Sequence, residues 1–123
     1  MTSEVFSVSS FSELAREARE VERWNRLHPQ QVPRSSHLMD CLPQSAPVVA
    51  VVAVSDYVRA MPQMIASYLD SRYTVLGTDG FGRCDTRAAL RDFFEVDRHH
   101  LVLAAQGSLD RQVCQQAIER YGL

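Results

Sequence analysis

An α/β fold built on a small parallel sheet of about three strands is what this chain predicts, and three features carry that expectation. Val48–Val54 is an unbroken run of valine and alanine, which suits a strand buried on both faces of a parallel sheet. Tyr73–Leu76 is a second β-rich run, and it passes into a loop with three glycines in six residues, Gly77, Gly80 and Gly82. Asp85 or Thr86 then offers an N-cap to a helix beginning near Ala88-Ala89-Leu90. Strands alternating with helical segments give a parallel sheet joined by crossovers.

The remaining elements follow in order. Val5–Val8 is a short strand candidate, and Ser10 with Glu13 forms a capping box for the helix after it. Phe11, Leu14, Ala15, Ala18 and Val21 trace one apolar face of that helix. Arg16 with Glu20, and Glu22 with Arg26, stand four apart and lend small support outside that face. Pro29 ends the helix. Residues 29–46 hold Pro29, Pro33 and Pro43 without periodicity and predict an irregular crossover. After Val54, Ser55 or Asp56 is expected to cap a helix with Val58, Met61, Ile65 and Leu69 on its apolar face, and Pro62 should kink or restart it. Thr86–Phe94 predicts a helix with Ala89, Leu90 and Phe93 inward. Asp97 caps the next, through Leu101, Val102 and Ala105; Gly107 breaks it, and Leu109–Tyr121 forms the last.

Composition narrows the function classes. The chain has 123 residues, enough for one domain with a modest core, and is 46% hydrophobic and 23% charged. Its formal charge of −2 argues against a nucleic-acid binder, which would show a clustered basic excess. No apolar run reaches the ~20 residues needed to span a bilayer, so a membrane role is not expected. Met1-Thr-Ser-Glu lacks the pattern of a secretory signal. Three widely spaced cysteines, Cys41, Cys84 and Cys114, fit a reducing cytoplasm better than a disulfide framework.

Candidate chemistry concentrates in the glycine loop. Gly80, Gly82, Arg83, Asp85 and Arg87 would form an anion site if backbone N–H groups, a helix start and two guanidiniums converged. The plainer expectation is a tight turn against a neighbouring domain, with the arginines paired to Asp79, Asp85 or Asp92. The glycine spacing G-x-x-G-x-G is neither a dinucleotide fingerprint nor a Walker loop. Cys84 sits between Arg83 and Arg87, which favours a thiolate, but no histidine is near in sequence to act as its base. His99 and His100 are adjacent, pointing about 100° apart in a helix, and with Cys41, Cys114, His28 and His37 they show no metal-ligand spacing. Trp24 and His28, four apart near a helix end, are a candidate interface pair, the alternative being Trp24 as the edge of the domain's own core. No general acid–base pair, no nucleophile–base set and no Mg²⁺–diphosphate motif is present, so no catalytic, cofactor-binding or metal-binding residue is expected.

The string Leu76-Gly-Thr-Asp-Gly-Phe-Gly-Arg83, followed by Glu95-Val-Asp97, resembles the C-terminal, transketolase-like domain of the homodimeric bacterial pyruvate dehydrogenase. Further segments agree in order: Ser7-Val8 with Ser10-Phe11 and Glu13-Leu14-Ala15-Arg16; Glu22 to Pro29 with Pro33-Arg34; and Ala46-Pro47-Val48 through Ser55-Asp56-Tyr57. They cover roughly residues 5–121. The resemblance implies a further strand–helix unit ahead of residue 5, and a serine where Cys84 stands. It also implies that residues 1–123 are a truncated portion of one domain. In that family the enzyme decarboxylates pyruvate and acetylates a lipoyl group, using thiamine diphosphate and Mg²⁺ held by its other domains. This portion is then expected to bind no cofactor itself and to be inactive alone. Its partners would be the remaining domains, the lipoyl-bearing second component or a second copy. A free-standing anion- or protein-binding module using the 77–87 loop, or a gene remnant without function, are the alternatives.

Overall fold

The structure, a computed structural model, describes residues 3–42, 50–69, 72–107 and 111–122. Its first element, α1 (Phe11–Leu27), begins where the Ser10 hydroxyl accepts from the Glu13 N–H at 3.3 Å. The Glu13 carboxylate turns to Arg16 at 2.8 Å, and Arg16 also reaches Glu20 at 2.7 Å. Ala15 and Ala18 are buried on the face the periodicity marked, with Phe11, Leu14 and Val21 half-buried beside them. His28 caps the helix, one residue ahead of Pro29.

Among the described residues the sheet has two strands rather than about three. β1 (Ala50–Val54) pairs in parallel with β2 (Arg72–Leu76), in register from Ala50 opposite Arg72 to Val54 opposite Leu76. Ser55 N–H extends the ladder to the Leu76 carbonyl at 3.0 Å. Val48 and Val49, expected in the first of these strands, lie outside the described residues. Val5–Val8 is not a strand. Val5 is 95% exposed, and that segment has no strand beside it among the described residues, so its alternation has nothing to pair with.

Two connections also depart from expectation. The stretch 29–46 contains a short helix, α2 (His37–Cys41), set between Pro33 and Pro43. The Ser36 hydroxyl caps it by accepting from Met39 N–H, and Leu38 enters the core against Ala15 and Ile65. After β1, neither Ser55 nor Asp56 caps a helix; the Ser55 hydroxyl accepts from Tyr57 N–H in a tight turn instead. The helix that follows is only α3 (Ala60–Gln63), and the chain then tightens into a 3₁₀ turn, Ala66–Tyr68. Pro62 restarts the helix as expected: it has no N–H to donate, and although Gln63 N–H still reaches the Arg59 carbonyl four residues back, the bonds of Met64, Ile65, Tyr68 and Leu69 run only three back. The buried Pro62 carbonyl accepts the Tyr73 hydroxyl of β2 at 2.8 Å, and burial pushes that phenol up to about 12.

The C-terminal third is helical. α4 (Arg87–Phe93) is capped by Thr86, whose hydroxyl accepts from Ala89 N–H. Ala89 and Leu90 turn inward as expected, but Phe93 is 57% exposed and Phe94 takes the half-buried place. α5 (Arg98–Gly107) packs on both strands and pairs with α6 (Arg111–Tyr121), helped by His99 stacked on Tyr121 at 4.6 Å. The product is a small α/β unit with helices against a two-stranded parallel sheet.

Candidate functional site

The glycine loop leaves the end of β2 and is fixed from below. Thr78 N–H donates to the Tyr57 carbonyl at 3.0 Å, and its hydroxyl donates to the Asp56 carbonyl at 2.7 Å. Asp79 accepts from Arg59 N–H at 2.8 Å and pairs with the Arg59 guanidinium. Those Arg59 bonds hold the Asp79 carboxyl below the usual carboxylate range. Gly77 is required by the close approach: a Cβ there would stand 2.7 Å from the Tyr57 carbonyl oxygen and 2.8 Å from Arg59 Cγ. Gly80 has φ +91°, a region that favours glycine.

Beyond Gly80 the loop opens to solvent. Phe81 is 99% exposed, and Arg83 lies over the Phe93 ring at 4.3 Å. Asp85 turns back to accept from Thr86 N–H at 2.7 Å. Of the residues singled out for an anion, Arg83 is drawn to an aromatic ring, and Arg87 opens a helix of only seven residues. The arginine that pairs with Asp79 is Arg59, twenty residues away, and not Arg83 or Arg87. The loop presents aromatic and guanidinium surface, the composition of a contact site.

Trp24 forms a second surface. His28 stacks on the indole at 4.5 Å, with its Nδ1–H donating to the Trp24 carbonyl at 2.8 Å. The Arg34 guanidinium lies 3.8 Å from the ring centre. Asn25 clamps Arg34 in place, accepting its N–H at 2.8 Å and donating to its carbonyl at 2.9 Å. An open groove of about 480 Å³ runs beside them, lined also by Glu17, Glu20 and Arg23. Trp24 is half-buried, so it serves as an edge of the fold and as surface at once.

Asp97 caps α5 as expected, accepting from His100 N–H at 2.9 Å. Two juxtapositions were not legible in the sequence. In one, Asp97 also accepts from the His100 ring at 2.7 Å, and Asp92 lies close enough for all three donors to fall within 4.8 Å. Burial pushes the Asp97 carboxyl up, but the His100 bonds and the nearby His99 outweigh it and hold it below its ordinary value. The other is His37 and Cys41, one turn apart on α2, with Nε2 and Sγ at 3.5 Å. A five-residue helix gives no periodicity to find; the Ser36 cap was the available signal.

Thiamine diphosphate with Mg²⁺ does not fit these groups. Mg²⁺ takes oxygen ligands in near-octahedral geometry, whereas the converging set Asp92, Asp97 and His100 includes an imidazole already bonded to Asp97. The loop glycines that would cradle a diphosphate flank the fully exposed Phe81 rather than a cleft.

Comparison with known proteins places the chain. The model of the transketolase-like TK C-terminal domain matches residues 1–97. The chain is 47% identical over 98% of its length to the pyruvate dehydrogenase E1 component of Pseudomonas aeruginosa. It is 46% identical over 98% to that of Cupriavidus necator, and 41% identical over 98% to that of Escherichia coli K12. In each case it spans 14% of the relative's length. With the helix-flanked parallel strands and the anchored Gly77–Arg83 loop, these matches make the chain a member of the transketolase-like C-terminal domain family.

Proposed function

We propose that this chain is the C-terminal domain portion of a pyruvate dehydrogenase E1-type enzyme and serves as a non-catalytic contact unit. The observation that carries this is 47% identity sustained over 98% of the chain to a protein of that name. The parent reaction would be decarboxylation of pyruvate and acetylation of a lipoyl group, with thiamine diphosphate and Mg²⁺ held elsewhere in the assembly. The Phe81, Arg83 and Phe93 surface and the Trp24, His28 and Arg34 surface supply anchors of the type that interfaces favour, which supports contact with the remaining domains or with the lipoyl-bearing component. Residues 1–123 would act as one domain portion, in the reducing cytoplasm that three widely spaced cysteines suit. Among the described residues no helix is long and apolar enough to cross a membrane.

The test is complementation in trans. An E1 polypeptide lacking the matching region should be weakly active and should gain pyruvate decarboxylation and a heavier mass when this chain is added. The chain alone should neither decarboxylate pyruvate nor take up thiamine diphosphate in calorimetry. Saturable micromolar uptake by the isolated chain would overturn the proposal, as would failure to associate with the truncated enzyme.

A further inference from the structure

The pair on α2 has the geometry of a metal clip. A zinc-type ion lies ~2.3 Å from a thiolate sulfur and ~2.0–2.1 Å from an imidazole nitrogen, which in tetrahedral geometry sets the two donors about 3.5 Å apart. Cys41 Sγ and His37 Nε2 stand 3.5 Å apart and share a hydrogen bond, whose proton an ion would replace at the same spacing. Both residues are exposed, so a hydrated ion can reach them without opening the fold.

The mounting is firm. Ser36, itself 6% exposed, caps the helix through Met39 N–H at 3.3 Å. His37 N–H is held by the Glu17 carboxylate of α1 at 3.2 and 3.3 Å. Leu38, between the two donors, is packed in the core with Ala15 and Ile65. The donors therefore project from a backbone fixed at both the cap and the core, which lowers the ordering cost of chelation. By contrast, the Asp92, Asp97 and His100 group is occupied by helix capping, and its donor set is harder.

We propose that His37 and Cys41 bind a soft divalent transition-metal ion of the zinc and cobalt class. The choice follows from the donors: imidazole and thiolate select such ions over Mg²⁺ or Ca²⁺. The Cys41 S–H bond gives up its proton to solvent as the sulfur–metal bond forms, and the lone pair on His37 Nε2 makes the second bond. No electron changes hands. Two protein donors leave two tetrahedral positions to water, so the site is an exchangeable surface clip rather than a closed structural centre.

Cobalt(II) added to the reduced chain is the probe. The expected result is a thiolate-to-cobalt charge-transfer band that saturates at one metal per chain and is abolished by zinc(II). Calorimetry in two buffers of different ionisation enthalpy should show about one proton released per metal, as a thiol ligand requires. Cys41→Ser should remove the band. His37→Asn should weaken cobalt binding by at least about tenfold, since removal of even an outer-shell partner costs that much. Cys41→His should retain binding without the sulfur band, which separates loss of a ligand from loss of the helix. Cys84→Ser and Cys114→Ser should leave the titration unchanged. Persistence of the band in Cys41→Ser, unaltered affinity in His37→Asn, or loss of binding in Asp97→Asn would each overturn the assignment.

Discussion

Gly77 and Cys84 stand seven residues apart in one loop, yet substitution should separate them sharply. A methyl at Gly77 meets the Tyr57 carbonyl oxygen at 2.7 Å and Arg59 Cγ at 2.8 Å, and the carbonyl is backbone tied to Thr78 N–H. Gly77→Ala should therefore cost roughly 1–3 kcal/mol, the usual range for forced overpacking, in a denaturant melt. Cys84 is exposed and has only solvent to displace, so Cys84→Ser should change stability by less than about 1 kcal/mol. Asp97 adds a pH dependence. Its carboxyl is lowered in the fold, so its contribution is complete above the ordinary carboxylate value and is lost as pH falls through the lowered one. The melting temperature should drop on acidification from pH about 5 to about 3, and the drop should be shallower in Asp97→Asn, in which the cap survives but the titration does not.

At the scale of elements, what was legible in the sequence was whatever an apolar pattern alone decides. α1 showed because Ala15, Ala18 and their neighbours repeat over seventeen residues, and β1 and β2 because β-branched runs admit few other conformations. α2 was hidden: its five residues lie among prolines, and it exists because Ser36 caps it and Leu38 finds Ala15, a partner more than twenty residues back. Ser36→Ala should accordingly cost about 1 kcal/mol by thermal melt, the typical value for a lost N-cap. In the 58–69 segment the interruption at Pro62 was legible, but not its extent. The periodicity was real, and the 3₁₀ path after Pro62, with the Tyr73 hydroxyl on the Pro62 carbonyl, is a tertiary outcome. The site was legible in composition only. Gly80, Gly82 and Arg83 named the right loop, while its fastening to Arg59 and the clamp of Asn25 on Arg34 are tertiary facts.

For the whole molecule, the two-stranded sheet leaves each strand with one strand partner among the described residues, and β1 is only half-buried for most of its length. Isolated two-stranded units are marginal, and an apolar edge invites another strand. The purified chain should be marginally stable and should self-associate, giving a concentration-dependent mass in light scattering. Val51→Glu should shift that mass towards the monomer. A sharp, concentration-independent melt with a monomeric mass would show that this sheet suffices as it stands. Phe81 has a separate consequence, for protease sensitivity. With 99% of its surface open and the flanking backbone free of secondary structure, its peptide bond can enter a protease cleft while β2 and α4 stay folded. A brief chymotrypsin digest should cut there early, leaving an N-terminal piece with the sheet and a C-terminal piece with α4, α5 and α6. Because α5 packs on both strands, the two should stay together until denaturant is added. A nick that leaves the halves joined would make this loop a natural seam at which the polypeptide can be opened without losing its fold.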